Sequence, residues 1–401
     1  MRRPALLEPF ANGNFSLYFS GQVISHTGMW FQNLALSLVV LEVTGSAQAL
    51  SGVTIAQFLP LLLFSVPAGW VADRFSPRSI MLTTSLTSAG IAAVLALVTG
   101  ADAPRLDVIY ALVAALGTVS TFERIAAQAI IFELVGGAGL TRAVSISTIA
   151  LASARSIGPG LAGIAFQGIG AMTCMLLNSV AYLLVFVSIF LLRRSRFHAR
   201  VTGSPPDSVG RRRSPMRGNR PFAVLLIVNV VVALLSLNLM LVLTATVTLT
   251  FVGDATATGA VHALNAVGAI IGGLVGASLV RVRVRSLILA CAGLGLALLA
   301  NAAAPTLPLF LMLAPLLGLA VGYYHSVLQA AAQSSVPPEL IGRAMSLVTM
   351  GNYGMAPIGA LLMGWVIDAS SGRVAMLLGS LGAFAATVIV SVALRARPGE
   401  R

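Results

Sequence analysis

The link at residues 69–78 combines one acid and two arginines between two long apolar stretches, roughly 47–71 and 79–99. About 20 apolar residues are enough to span a bilayer. Asp73, Arg74 and Arg78 would therefore lie at a membrane surface, where charges are costly unless they pair or face the cytoplasm. Gly69 would let two backbones approach closely there. One interpretation is a simple orientation signal. The order Gly-x-x-x-Asp-Arg-x-x-x-Arg favours the alternative, a charge arrangement with a function.

A polar stripe runs along the first apolar stretch. Its members recur every three or four residues and are Gln22, His26, Trp30, Asn33 and Ser37. This spacing puts them on one helical face. A polar stripe in a membrane helix faces a cavity or a partner helix rather than lipid, and we favour the lining of a substrate cavity. His26 alone does not distinguish a proton carrier from a hydrogen-bonded packing residue. The candidates for cavity walls in the second half of the chain are Tyr323, Tyr324 and His325.

A single arginine lies deep in the predicted fifth span. Arg155 follows Arg142 by thirteen residues, which places it roughly 20 Å into a hydrocarbon core of ~30 Å. An unpaired arginine there is expensive, so we expect it to face the interior and to have a partner. A role in the substrate cavity is favoured over a purely structural pair. A helix break follows, where Pro159 removes a hydrogen bond and Gly158 and Gly163 permit close helix approach.

The composition is that of a polytopic helical membrane protein. Hydrophobic residues make up 57% of the 401 residues and charged residues only 9%, whereas soluble domains carry about 25% charge. Continuous apolar stretches favour helices over alternating barrel strands. Cys174 and Cys291 fall inside these stretches and support neither a disulfide framework nor a metal site. We predict an all-α fold with twelve spans, at roughly 15–41, 47–71, 79–99, 106–124, 143–167, 170–192, 222–249, 257–280, 286–304, 306–331, 342–366 and 374–394.

The arginines predict the orientation of the spans. The loop arginines fall on one side, except for Arg105 and Arg373, so both termini are expected in the cytoplasm of a bacterium, with a multi-pass chain in its inner membrane. This bias also accounts for the net charge of +13, and no nucleic-acid partner is inferred. The stretch 193–220 is rich in arginine and proline and cannot build a core. It is predicted to be a cytoplasmic linker near anionic lipid.

The two halves of the chain resemble each other. A shift of 207 residues aligns Arg78 with Arg285 but sets Val280 against Asp73. We therefore predict two six-helix bundles, 1–192 and 221–401, joined by the linker 193–220. The acid that the second copy lacks suggests a specialised gating role for the first loop.

The link at 69–78 is similar to the loop 2–3 signature of the major facilitator superfamily, Gly-x-Leu-Ala-Asp-Arg-x-Gly-Arg-Arg. Ser76 and Pro77 depart from that signature. Further matching pieces are Phe15-x-x-Tyr18-x-x-Gly21-Gln22, Phe58-Leu59-Pro60, Gly158-Pro159-x-x-Ala162-Gly163 and Val336-Pro337-x-x-Leu340-x-Gly342-Arg343. Together they resemble the bacterial exporter branch that contains enterobactin exporters and macrolide efflux pumps.

The resemblance implies a major facilitator fold with two pseudo-symmetric six-helix halves. It also implies a conformational gate, in which Asp73 and Arg78 join an acid at the cytoplasmic end of the fourth span. Glu123 is the predicted acid and Glu133 its rival. A solvated pair of Glu123 and Arg124 is the alternative interpretation.

We expect a secondary active exporter of hydrophobic or amphipathic small molecules, of the drug or siderophore type. It would work as a proton antiporter, with the proton gradient as energy source and no other cofactor. Its expected partners are its substrate, protons and the lipid bilayer, and we expect a monomer. It is not expected to be an enzyme, because no nucleophile–base or metal constellation is present. A metabolite importer of the same fold and a non-transporting membrane sensor are the alternatives.

Overall fold

The computed structural model describes residues 9–193, 219–279, 283–337 and 340–395, without some of the side chains between 137 and 156. Most of the predicted linker at 193–220, and Val280, lie outside these ranges. Every regular element within them is a helix. The helices are α1 (Gly13–Thr44), α2 (Ala47–Arg74), α3 (Pro77–Thr99), α4 (Leu106–Phe190), α5 (Arg220–Leu235), α6 (Leu239–Ala245), α7 (Ala255–Ala277), α8 (Val284–Ala302), α9 (Leu307–Ser334), α10 (Ile341–Ala369) and α11 (Gly372–Arg395). A π-helical turn, Thr246–Thr250, continues α6.

Two glycines divide the 85-residue α4 into three consecutive helical pieces. Gly136 has φ 66° and Gly170 has φ 75°, values that glycine adopts without strain because it has no Cβ. The pieces overlap the three spans predicted between 106 and 192. The first piece continues without interruption to Gly136, well beyond the predicted end of the fourth span near residue 124.

Nine helical segments in the described part of the chain are long and apolar enough to cross a membrane. They are Ala47–Arg74, Pro77–Thr99, Leu106–Gly136, Ile157–Phe190, Arg220–Thr250, Ala255–Ala277, Val284–Ala302, Leu307–Ser334 and Gly372–Ala393. The predicted all-α, multi-pass fold is confirmed. The count of twelve spans stays a prediction.

The described residues form two compact units, the first within 1–43 and 56–202. A core cluster of this unit lies where α1, α2 and α3 meet α4. Phe15 of α1, Met81 of α3 and Ile130 of α4 are fully buried there, and Ala72 of α2 joins them. This packing fixes the position of the predicted loop signature, which includes Ala72.

The second unit lies within 44–55 and 203–401, so it includes the first turns of α2. Its helices α7 and α9 pack backbone to backbone. A Cβ on Gly268 or Gly272 of α7 would lie 1.9 Å from a carbonyl oxygen of α9. A Cβ on Gly318 of α9 would lie 1.7 Å from one of α7. Only glycine fits at such positions, and small residues are the usual means by which membrane helices approach closely.

Candidate functional site

The predicted loop signature forms a tight connection between α2 and α3. Helix α2 ends at Arg74 and α3 begins at Pro77. The Ser76 side chain accepts a hydrogen bond from the backbone N–H of Ser79, at 3.1 Å. Ser76 and Pro77, which depart from the superfamily signature, thus supply an N-cap and a first-turn proline, both of which favour a helix start. The Arg74 guanidinium lies 5.4 Å from the ring centre of Trp70, and Asp73 is exposed.

Arg78 holds the last turn of α4. Its Nε donates to the carbonyl of Ile189 (3.2 Å) and its Nη2 to that of Phe190 (2.7 Å), where the helix macrodipole favours a cation. In the described part of the chain, no ion pair joins Asp73 to Arg78. A Cβ on Gly69 would meet no atom within 4 Å, so the predicted close approach of backbones there is wrong. The gating role of this group stays a prediction.

One face of α1 is packed against the last piece of α4. A Cβ on Gly21 would lie 2.5 Å from Ser188 Oγ, and one on Gly28 would lie 2.7 Å from Asn178 Oδ1. On the same face, Asn178 Nδ2 donates to Gln32 Oε1 at 2.7 Å. The predicted polar stripe lies beside this face and is only partly buried at Gln22, His26, Trp30 and Asn33. The face of α1 that packs against the last piece of α4 is therefore not the stripe.

Two hydrogen-bond donors of the stripe have no acceptor. Gln22 Nε2 and Trp30 Nε1 are buried atoms without a hydrogen-bond partner among the described residues. Unpaired buried donors are uncommon because they cost free energy, so both are available to a bound molecule. Ser37 differs, because it is buried and donates to the Asn33 carbonyl at 2.8 Å. The end of the stripe is thus satisfied within α1.

Trp30 joins the stripe to the predicted helix break. A Cβ on Gly158 would lie 2.8 Å from three atoms of the Trp30 side chain, so the indole packs directly on this glycine. Pro159 and Gly163 are buried, and α4 continues through both. Arg155 belongs to the same helical piece, but its side chain is outside the described part of the structure. The stripe and the break are brought together as one site.

Glu123 lies within a helical segment that continues well beyond it. The segment Leu106–Gly136 has 31 residues, or ~45 Å of helix, and Glu123 stands ~20 Å from its nearer end. Because the hydrocarbon core is ~30 Å thick, a residue at that depth is inside the core when the segment spans it. The place of Glu123 in the gate stays a prediction, and Glu133 is the acid nearest Gly136.

Glu123 lies within electrostatic range of side chains from α1 and α4. Tyr18 of α1, Tyr182 of the last piece of α4 and the adjacent Arg124 all interact electrostatically with its carboxyl group. Arg124 acts in the same way on His26 of the stripe. The fold thus brings Glu123 to the stripe. We call the residues of this set the α1–α4 polar site: Tyr18, Gln22, His26, Trp30, Glu123, Arg124, Gly158 and Tyr182.

The predicted cavity-wall residues of the second unit lie side by side on α9. Tyr324 is fully buried in the packed interior of this unit, and its ring lies 5.7 Å from that of His325. Tyr323 and His325 are partly exposed. Because successive helical residues point in different directions, the three cannot form one wall. The roles of Tyr323, Tyr324 and His325 stay predictions.

Asp368 is a further acid, which no motif or spacing predicts. It lies in the last turn of α10, and the fold alone brings it to the start of α2. Among the described residues, no three His, Cys, Asp or Glu side chains are grouped so that they could hold a metal ion.

The helical fold, with its nine apolar segments in the described part of the chain, is that of a multi-pass membrane protein. The model of a major facilitator family described as transmembrane secretion effector matches residues 5–401. The chain belongs to this family and is a transporter, not an enzyme, as predicted.

Relatives match along most of the chain. The staphyloferrin A transporter of Staphylococcus aureus (strain NCTC 8325 / PS 47) is 27% identical over 363 residues, which cover 88% of this chain and 89% of the relative. The multidrug efflux pump Tap of Mycolicibacterium fortuitum is 27% identical over 353 residues, which cover 84% of this chain and 85% of the relative.

The fold is similar to that of a bacterial homologue of the iron transporter ferroportin, solved in an inward-facing state. The TM-score is 0.74 at 16% identity, and the match covers 96% of this chain and 99% of that one. At this identity the likeness shows the fold alone.

Proposed function

We propose that this transporter exports a hydrophobic or amphipathic small molecule, of the drug or siderophore type, in exchange for protons. Two relatives, a multidrug efflux pump and a staphyloferrin A transporter, support the substrate class. Glu123 carries the proposal of proton coupling. It stands ~20 Å from the nearer end of a candidate membrane-crossing segment, and it forms no hydrogen bond or ion pair within the described residues. An ionisable residue at such depth is by default a candidate for an ion pathway.

A change in the charge of Glu123 would act on more than one helical segment. An ionised carboxylate only accepts hydrogen bonds, whereas a protonated one can also donate. Tyr18 and Tyr182, which lie within its electrostatic reach, belong to α1 and to the last piece of α4. Arg124 extends that reach to His26 of the stripe. Proton binding is thereby linked to the surface that we propose for the substrate.

The stripe suits an amphipathic molecule. Gln22 Nε2 and Trp30 Nε1 supply unpaired donors, and the Trp30 indole supplies apolar surface beside them. For an anionic substrate such as a catecholate siderophore, we add Arg155, which stands one turn before Gly158 and whose guanidinium has five donors. Gly69, Asp73, Arg74 and Arg78 are proposed to gate the cytoplasmic side.

The direction and energy source can be tested with ethidium, an amphipathic cation, in everted inner-membrane vesicles. An exporter accumulates ethidium when the vesicle interior is acid, and a protonophore abolishes the accumulation. Accumulation that continues with protonophore while ATP is present would refute proton coupling. An importer would release ethidium under the same gradient, and a sensor would move none.

The role of Glu123 can be tested in proteoliposomes by comparing Glu123→Gln with Glu42→Gln, an exposed acid at the end of α1. Glu123→Gln should lose accumulation driven by a pH gradient but keep ethidium exchange without a gradient, because only the proton carrier is removed. Glu42→Gln should keep both. Gradient-driven accumulation by Glu123→Gln at the wild-type rate would contradict the assignment.

A further inference from the structure

The start of α2 is held by a carboxylate from residue 368. Asp368 Oδ1 accepts a hydrogen bond from Ala47 N (2.7 Å), and its Oδ2 accepts from Gln48 N (3.0 Å) and Ser46 Oγ (2.5 Å). The first N–H groups of a helix have no partner within it, so Asp368 satisfies two of them. Such bonds are charge-assisted and are strengthened by the helix macrodipole. All four residues belong to the second compact unit.

The backbones at this contact meet closely, through Gly364. A Cβ on Gly364, one turn before Asp368 in α10, would lie 2.9 Å from Ala47 O and 3.0 Å from Gln48 Cα. The absence of a side chain lets α10 reach the first turn of α2. The contact therefore combines a close approach of backbones with one charged group.

Release of this contact would strand no buried charge. Asp368 is exposed and lines a cavity of about 540 Å³ together with Gly45, Thr250 and Ser371, among others. A carboxylate that loses its partners in such a place regains water, whereas a buried one would be left uncompensated. The contact can therefore hold the start of the helix and can open without leaving a buried charge uncompensated.

The held segment is followed in α2 by Pro60, which we call the joint. Residues 44–55 belong to the second unit and residues from 56 onward to the first. Pro60 has no N–H, so the carbonyl of Ala56, at that boundary, lacks its helical donor. At the other end, Gly45 has φ 61° in the short link from α1. The segment is bounded on both sides by places where the backbone can bend.

We propose that Asp368 is a latch on the start of α2: it holds residues 44–55 in the state that this structure records, and it opens during the transport cycle. On opening, the first turns of α2 turn about the joint at Pro60. The inference rests on the chain being a transporter. It does not depend on the identity of the substrate or on proton coupling.

Hydrogen–deuterium exchange tests the contact directly. Asp254 supplies a matched control, because its Oδ1 caps the start of α7 by accepting from Ala257 N (2.7 Å), three residues on. Asp368→Asn should speed amide exchange at Ala47 and Gln48 by about tenfold or more, since bonds to a charged acceptor are lost. Asp254→Asn should leave those two amides unchanged. Wild-type exchange at Ala47 and Gln48 in Asp368→Asn would overturn the proposal.

A covalent lock tests whether the contact opens. Ser46→Cys with Asp368→Cys can be oxidised to a disulfide, and the native Cys174 and Cys291 do not compete because they are buried. Oxidation should stop ethidium transport in proteoliposomes, and reduction should restore it. Oxidation of a local pair, made by replacing Asp254 and Ala257 with cysteine, should leave transport unchanged.

Equal transport by the locked and reduced forms would show a static helix cap and overturn the latch. If the wild-type protein carries no ethidium, the proposed function fails for that molecule. The exchange comparison needs no transport, so it separates this failure from a failure of the contact.

Discussion

Gly318→Ala should strongly destabilise the second unit, although it adds only one methyl group. The new Cβ would lie 1.7 Å from the carbonyl oxygen of Asn265 and 2.6 Å from the carbonyl carbon. Cβ atoms essentially never come within 3.0 Å of another heavy atom. The clash is with backbone, which cannot rotate away as a side chain can. Helices α7 and α9 must therefore separate by roughly an ångström or more.

The separation would be felt along the whole α7–α9 contact. The other glycines at which a Cβ would lie 1.9 Å from the facing backbone are Gly268, Gly272 and Gly322. Overpacking by one methyl group costs ~1–3 kcal/mol. We expect about 3 kcal/mol here, because several close backbone contacts weaken together. For a unit of about 200 residues this lowers the melting temperature by on the order of 10 °C.

Unfolding can be followed with a maleimide dye that fluoresces when it reacts with thiols, because Cys174 and Cys291 are fully buried. Gly273→Ala is the matched control. It lies on α7 as well, but its Cβ would meet no atom within 4 Å, so it should melt within ~2 °C of the wild type. If Gly318→Ala melts together with Gly273→Ala, the two helices are not as close as described and the reasoning fails.

Three further predictions concern the first unit. Gly158→Ala should displace the Trp30 indole, because atoms of that side chain would lie 2.8 Å from the new Cβ. It should therefore shift tryptophan fluorescence and weaken ethidium binding. Gly168→Ala, with no atom within 4 Å of its Cβ, should change neither. Arg78→Ala should lower the melting temperature by a few degrees, since two helix-ending carbonyls lose a charged donor worth ~1–2 kcal/mol. Asp73 is exposed, so the Asp73→Asn variant should melt like the wild type but export poorly. Normal export by this variant would show that the link only orients the chain.

The polar stripe was predictable because helix geometry alone decides which residues share a face. The spacing of Gln22, His26 and Trp30 places them on one side of α1 in any fold that keeps the helix. Gly158 and Pro159 likewise marked a special place in α4. That the indole of Trp30 packs on Gly158 is a fact of tertiary packing, which neither pattern contains.

The continuation of α4 beyond Glu123 was not predictable from local sequence. A Glu–Arg pair after an apolar stretch is typical of a helix leaving the membrane, and the predicted span therefore ended at residue 124. In the fold, Tyr18 and Tyr182 lie within electrostatic reach of this acid, and α4 continues to Gly136. Where a helix ends after a charged pair depends on the side chains that surround the pair, and tertiary packing decides which side chains those are.

The sequence by itself determined that this chain is a helical multi-pass membrane protein, and its loop signature indicated the superfamily. Both follow from local properties: apolar length fixes what can cross a bilayer, and residue order fixes a motif. Only the tertiary structure decided that Gly69 faces open space and that Asp368 meets Ala47. The partner of a residue 321 positions away depends on how every intervening helix packs, and neither hydropathy nor spacing records that.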